Sequence, residues 1–141
     1  FPEFDSDREE VIERAKKALK FGLFDFVILE SYTSMFHAAR ALLYKDGIQE
    51  KSHYAISIYL KEKYSNKIPL PVINFLEIHR TERHEAMYGL EYKPEKKDAE
   101  LALLDAEIFI KEIKKFSGVV PSELLKNTND RFILLSVLKA Q

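Results

Sequence analysis

Two arginines and two histidines crowd one short segment, Ile78-His79-Arg80-Thr81-Glu82-Arg83-His84-Glu85. Wound as a helix at about 100° per residue, Val72, Leu76, Arg80, Arg83, Met87 and Leu90 share a face about 80° wide, bordered by His79 and His84. Arginine is seldom buried unless it is paired. Two uses of this face therefore stay open: ion pairs with carboxylates of neighbouring helices, or the lining of a cleft that takes phosphate. A guanidinium is charged at any working pH, and its planar fork matches phosphate oxygens. An imidazole beside it titrates near neutrality and can move a proton.

A second polar set, Glu30, Thr33, His37, Arg40 and Tyr44, falls opposite the apolar stripe of the segment 24–45. It is expected to be a solvated face or a second contact surface, for a dimer partner or a ligand.

Other chemistries lack their residues. Cysteine is absent, which excludes disulfides, thiolate nucleophiles and Cys-bound zinc. A carboxylate-bridged metal bundle wants two Glu-x-x-His pairs on different helices and two further Glu. Only Glu50-Lys51-Ser52-His53 fits, in a turn that leads into a helix. No Gly-rich phosphate loop and no Gly-x-Ser-x-Gly elbow occurs. Neither a metal nor a cofactor is expected.

The elements that position these residues are helices. Asp7 and Glu10 have capping-box spacing and open a helix over about 5–20, broken at Gly22. A long helix spans 24–45, with Phe24, Ile28, Ser31, Tyr32, Met35, Ala38, Ala39 and Leu42 inward, and Asp46-Gly47 ends it. Ser52 caps a third, to about Tyr64, with Ile56, Tyr59 and Leu60 inward. A fourth runs from Pro71 to about Leu90. Pro94 sits at the start of a fifth, to about Phe116, whose stripe is Ala99, Leu101, Ala102, Leu104, Ala106, Ile108, Phe109 and Ile113. Pro121-Ser122-Glu123 opens a last helix, about 121–140. There Leu124, Leu125, Phe132, Leu135 and Leu138 either pack on the bundle or grip a partner subunit. No strand alternation or internal repeat is present.

The chain of 141 residues is 46% hydrophobic and 32% charged, with a net charge of −1. There is enough apolar surface for a core, and no bulk positive charge of the kind that coats nucleic acid. One domain is expected over 1–141: an all-α, antiparallel up-down bundle of four to five helices with a core at about 5–116, plus the C-terminal helix. No apolar run approaches a membrane span and no secretory signal is visible, so the expected location is the cytoplasm.

Two strings resemble the HEPN (higher eukaryotes and prokaryotes nucleotide-binding) superfamily, most closely its small stand-alone prokaryotic branch. One is Ser31-Tyr32-Thr33-Ser34-Met35-Phe36-His37-Ala38-Ala39-Arg40-Ala41-Leu42-Leu43, followed by Gly47-Ile48 and Lys51-Ser52-His53. The other is Arg80 through Arg83-His84-Glu85-Ala86-Met87-Tyr88-Gly89. The resemblance implies a helical bundle, often a homodimer, often a toxin encoded beside a minimal nucleotidyltransferase. Active members are metal-independent ribonucleases with an Arg and a His separated by four to six residues.

This sequence departs from that motif. Three residues separate Arg80 from His84, Arg83 adjoins His84, a four-residue gap after Arg83 leads to Tyr88, and Met87 stands where the branch has Asp. The reading is therefore a non-catalytic or weakly catalytic, homodimeric partner of a nucleotidyltransferase that associates with a nucleotide or RNA. Arg80, Arg83 and Tyr88 would contact phosphate, with His37 and Arg40 on the opposing helix. The alternatives are a ribonuclease toxin using Arg80, Arg83 and His84, and a structural adaptor with no ligand.

Overall fold

Helix formation follows the apolar period. A computed structural model describes residues 13–116, and every regular element among them is α-helical. Residues 13–20 form α1. Then come α2 (Phe24–Lys45), α3 (His53–Tyr64), α4 (Leu70–Tyr88) and α5 (Lys96–Lys114). The Asp7/Glu10 capping box and the C-terminal helix lie outside the described residues.

The punctuation is chemical. Gly47 has φ 83° after α2, in the left-handed region that a Cβ disfavours. The Gly47 and Ile48 amides bond back to the Tyr44 and Leu43 carbonyls. Gly47→Ala meets no neighbouring atom, so its effect is purely conformational. A loss of about 1 kcal/mol is expected, read by urea denaturation.

Ser52 caps α3, its hydroxyl accepting from the Ala55 amide at 3.3 Å. Pro94 does not begin α5. Glu95 is the N-cap, in a reciprocal capping box with Asp98, and this satisfies two amides that a proline start would leave open. At α4 the helix begins at Leu70, with Pro71 inside the first turn, and stops before Gly89. A Cβ on Gly89 would lie 2.6 Å from the Glu85 carbonyl oxygen. The Tyr88-Gly89 end of the second string is thus a steric requirement of the helix terminus.

The central element is α2, which packs on α3, α4 and above all α5. Ser31, Ala38 and Ala39 of α2 and Ala99, Ala102 and Ala106 of α5 are buried small residues. Around them Tyr32, Met35, Leu42, Leu43, Ile56, Leu60, Ile73, Leu76, Phe109 and Ile113 form the main core. Each large side chain there contributes about 1.5–3 kcal/mol by leaving water. Ala18, Val27 and Ala99 close a smaller cluster where α1 meets α2 and α5.

Three expected faces are corrected. The polar side of α2 is not solvated: Tyr44 is buried, and Glu30, Thr33, His37 and Arg40 are half-buried, because a helix packed on three others has little free circumference. The eight-residue stripe of α5 splits: Leu101, Leu104 and Ile108 are exposed, while Ala99, Ala102, Ala106, Phe109 and Ile113 are buried. Eight positions drawn from 99–113 go right round a helix, and α2 takes the alanine side. On α4 the inward row is Val72, Ile73, Leu76 and His79. Arg80, Met87 and Leu90 turn outward.

Candidate functional site

The arginines of α4 meet the aromatic side of α2 and the first turn of α3. Three segments remote in sequence contribute. From α2 come Tyr32, Phe36 and Arg40, from α3 come His53 and Ser57, and from α4 come Glu77, Arg80 and Arg83.

His53 is the hub. Its position follows from the Ser52 cap, which makes His53 the first residue of α3. Its ring stacks on Phe36 with centroids 4.1 Å apart at 12°, and lies near-parallel to Tyr32 at 5.6 Å. Its Nδ1 is hydrogen-bonded to the Tyr32 hydroxyl. Stacking and bond together fix the ring, leaving Nε2 with no hydrogen-bond partner among the described residues.

The cations lie around this stack. The Arg40 guanidinium sits 5.7 Å from the centre of the Phe36 ring, and its Nε donates to the Glu50 carbonyl at 3.0 Å. Arg83 sits 5.7 Å from the centre of the Tyr32 ring. Arg80 Nε lies 3.5 Å from Glu77 Oε1, which also accepts from the Ser57 hydroxyl at 3.3 Å. Among the described residues no carboxylate lies within 4 Å of Arg40 or Arg83. Three guanidinium charges face one carboxylate, so the cluster is net cationic.

That imbalance acts on the titrating groups. Burial, helped by Arg80, Arg83 and Arg40 and opposed by Glu77, holds the His53 imidazole below its ordinary range. Burial raises the Tyr32 phenol to about 12 against the pull of Arg80 and Arg83. Near neutral pH the pair is therefore a neutral imidazole on a neutral phenol, surrounded by positive charge. Such an arrangement has the charge to hold an anion and a ring nitrogen positioned to bond it.

The sequence-derived candidates divide. Arg80, Arg83 and Arg40 converge on the stack. His37 lies beside Arg40 on α2 and is kept low by burial and by that arginine. His84 and Tyr88 are exposed on the last turn of α4 and face each other, ring centroids 5.0 Å apart. Neither touches the arginine cluster. His53, Tyr32 and Glu77 belong to the site; Glu77 lies three residues before Arg80 on α4, whereas spacing along α4 could not reveal His53 and Tyr32. The available signal was the Lys51-Ser52-His53 string, which places a histidine immediately after a helix cap.

The remaining histidine is structural. His79 is buried between α4 and α5, with Nε2 2.8 Å from Asp105 Oδ2 and Nδ1 3.4 Å from Glu82 Oε1. Both carboxylates outweigh burial and raise the imidazole. Among the described residues no three His, Asp or Glu side chains gather as metal ligands. The small hollow between Ala15, Ser31, Leu103 and Ile110 has a volume of about 20 Å³, room for a water and not for a nucleotide.

The HEPN domain family model matches residues 9–116. The chain belongs to the HEPN domain family. The match spans the helices that build the arginine cluster. This HEPN chain is 34% identical over 109 residues to a UPF0332 protein of Archaeoglobus fulgidus, covering 75% of this chain and 86% of that one. It is 26% identical over 136 residues to a protein of Methanocaldococcus jannaschii named as a candidate toxin, covering 90% and 91%. The HEPN bundle expected from the two strings is therefore present. Among the described residues no helix is long and apolar enough to cross a membrane.

Proposed function

We propose that this HEPN protein is a toxin-like partner protein that binds the phosphate of a nucleotide or RNA through Arg80 and Arg83, with Arg40 opposite them on α2. It works as a homodimer in the cytoplasm beside a minimal nucleotidyltransferase. The observation that carries the reading is the excess of guanidinium groups: Arg40 and Arg83 have no carboxylate within 4 Å among the described residues, as a ligand site requires and a purely structural ion-pair network does not. The Methanocaldococcus protein named as a candidate toxin supports the toxin-like part.

A second reading, metal-independent RNA cleavage, is favoured by His53, which supplies near the arginines the histidine that the motif spacing lacks. A ribose 2′-hydroxyl would give its proton to His53 Nε2, and its oxygen would bond to the adjacent phosphorus. The bond from phosphorus to the 5′ oxygen would break, and that oxygen would take a proton from water. The products are a cyclic phosphate and a free 5′-hydroxyl.

One assay tests both readings. Mixed structured and single-stranded RNA is incubated with the protein in excess chelator, and binding of a short oligouridylate is followed by fluorescence anisotropy. Binding lost on Arg80→Ala/Arg83→Ala, with RNA intact throughout, is the result expected for a binding protein. Cleavage that survives His84→Ala and disappears in His53→Gln would install the second reading. Absence of both binding and cleavage in a folded protein removes both and leaves the adaptor.

A further inference from the structure

Resting on the phosphate-binding reading, we infer that His53, Arg40, Arg80 and Arg83 of one chain form a single phosphate site, whose imidazole takes up a proton as the phosphate enters.

Geometry carries the inference. The His53 ring is locked by the Phe36 stack and the Tyr32 hydroxyl, so it cannot swing away from the arginines. One nitrogen is committed to Tyr32 while the other has no partner among the described residues. A phosphate oxygen held by Arg40 and Arg83 would give Nε2 the acceptor it lacks. Tyr32 suits either state of the ring, because a phenol both donates and accepts.

The charges set the direction of the coupling. From α2, Arg40 acts on His53. From α4, Arg80 and Arg83 act with the same sign, and Glu77 opposes them. In the connection before α3, the Glu50 carboxylate is turned to the Lys51 and Ser52 amides at 2.9 Å each. His37 stands beside Arg40 on α2 and is the other histidine within reach of the field. In the free protein burial, reinforced by the arginines, keeps the imidazole neutral. A bound phosphate offsets them, so anion and proton favour each other's binding. Affinity therefore rises as pH falls through the imidazole's pKa in the complex, and levels off below its pKa in the free protein.

The test uses the whole chain with two probes that do not titrate near neutrality, sulfate and a short oligouridylate. Calorimetry in buffers of different ionisation enthalpy reads the proton uptake, and histidine NMR identifies the ring. Uptake approaching one proton per bound anion is expected, with affinity about tenfold higher near pH 5.5 than near pH 7.5. The His53 resonances should shift to the protonated position on saturation. His53→Gln should bind with a flat pH profile, while His84→Gln keeps the wild-type slope. Binding that is independent of pH, or a His53 resonance that stays put while anion binds, overturns the inference and leaves the phosphate-binding reading intact. Absence of binding by wild type at every pH overturns both. Sulfate binding with the expected slope, and no oligouridylate binding, keeps the proton-linked site and removes RNA as its ligand. The NMR reading needs no variant to fold.

Discussion

Arg80→Ala/Arg83→Ala is expected to weaken oligouridylate binding by at least about a hundredfold. A hydrogen bond from a charged donor is worth about 1.5–3 kcal/mol, and two guanidinium forks leave together. The loss should be greatest at low salt. Each single-strand phosphate contact adds about 0.7 to the slope of log affinity against log salt, so the variant's slope should be shallower by about 1.4 units.

The loss of stability should stay below about 2 kcal/mol. The Arg80–Glu77 pair is exposed, with side chains 45% and 34% accessible, and such pairs give at most about 1 kcal/mol. The Arg83–Tyr32 contact adds about 0.5–1 kcal/mol. A melt that falls far while binding persists would mean that the arginines are structural after all. Anisotropy across a salt series, beside a thermal melt, separates the two.

Asp105→Ala should do the reverse. It removes the carboxylate from a buried imidazole that bridges α4 and α5. His79 has carboxylate oxygens at both ring nitrogens, which is the environment of a doubly protonated ring. Without Asp105, His79 stays buried with one partner. Breaking a buried pair of this kind costs about 3 kcal/mol, a fall in Tm on the order of 10 °C for a domain this size.

The pH dependence follows from the raised His79 pKa. A folded-state pKa above the unfolded value gives stability that is complete below the unfolded value and is lost as pH rises through the folded one. Wild type should therefore lose part of its melting temperature as pH climbs above the ordinary histidine range, and Asp105→Ala should not. Differential scanning calorimetry from mildly acidic to mildly alkaline pH reads both effects. An Asp105→Ala chain with the wild-type pH profile would show that the pair does not hold a proton.

The two variants use histidine and arginine chemistry from the same helix. Arg80 and His79 are neighbours in sequence, yet one opens to solvent at the arginine cluster and the other is sealed beneath α5. A 100° step between adjacent residues is enough to separate an exposed arginine from a buried histidine.

The sequence by itself determined the helices, because helices are local. Apolar residues three and four apart, Ser52 as a cap and Gly47 as a stop all act within a few residues. The two family strings likewise pointed to the HEPN bundle, since each lies on one helix or one turn. The arginines and their chemistry were legible for the same reason. What only the tertiary structure decided is which histidine joins them. Tyr32 and His53 are 21 residues apart, and His79 and Asp105 are 26 apart. Such pairs depend on how α3 and α5 are rotated and shifted against their neighbours. That arrangement is fixed by the packing of the whole apolar core, to which no short window of sequence has access. His84 adjoins Arg83 along the chain but faces Tyr88, whereas His53 reaches the arginines because α2 and α4 converge on the first turn of α3.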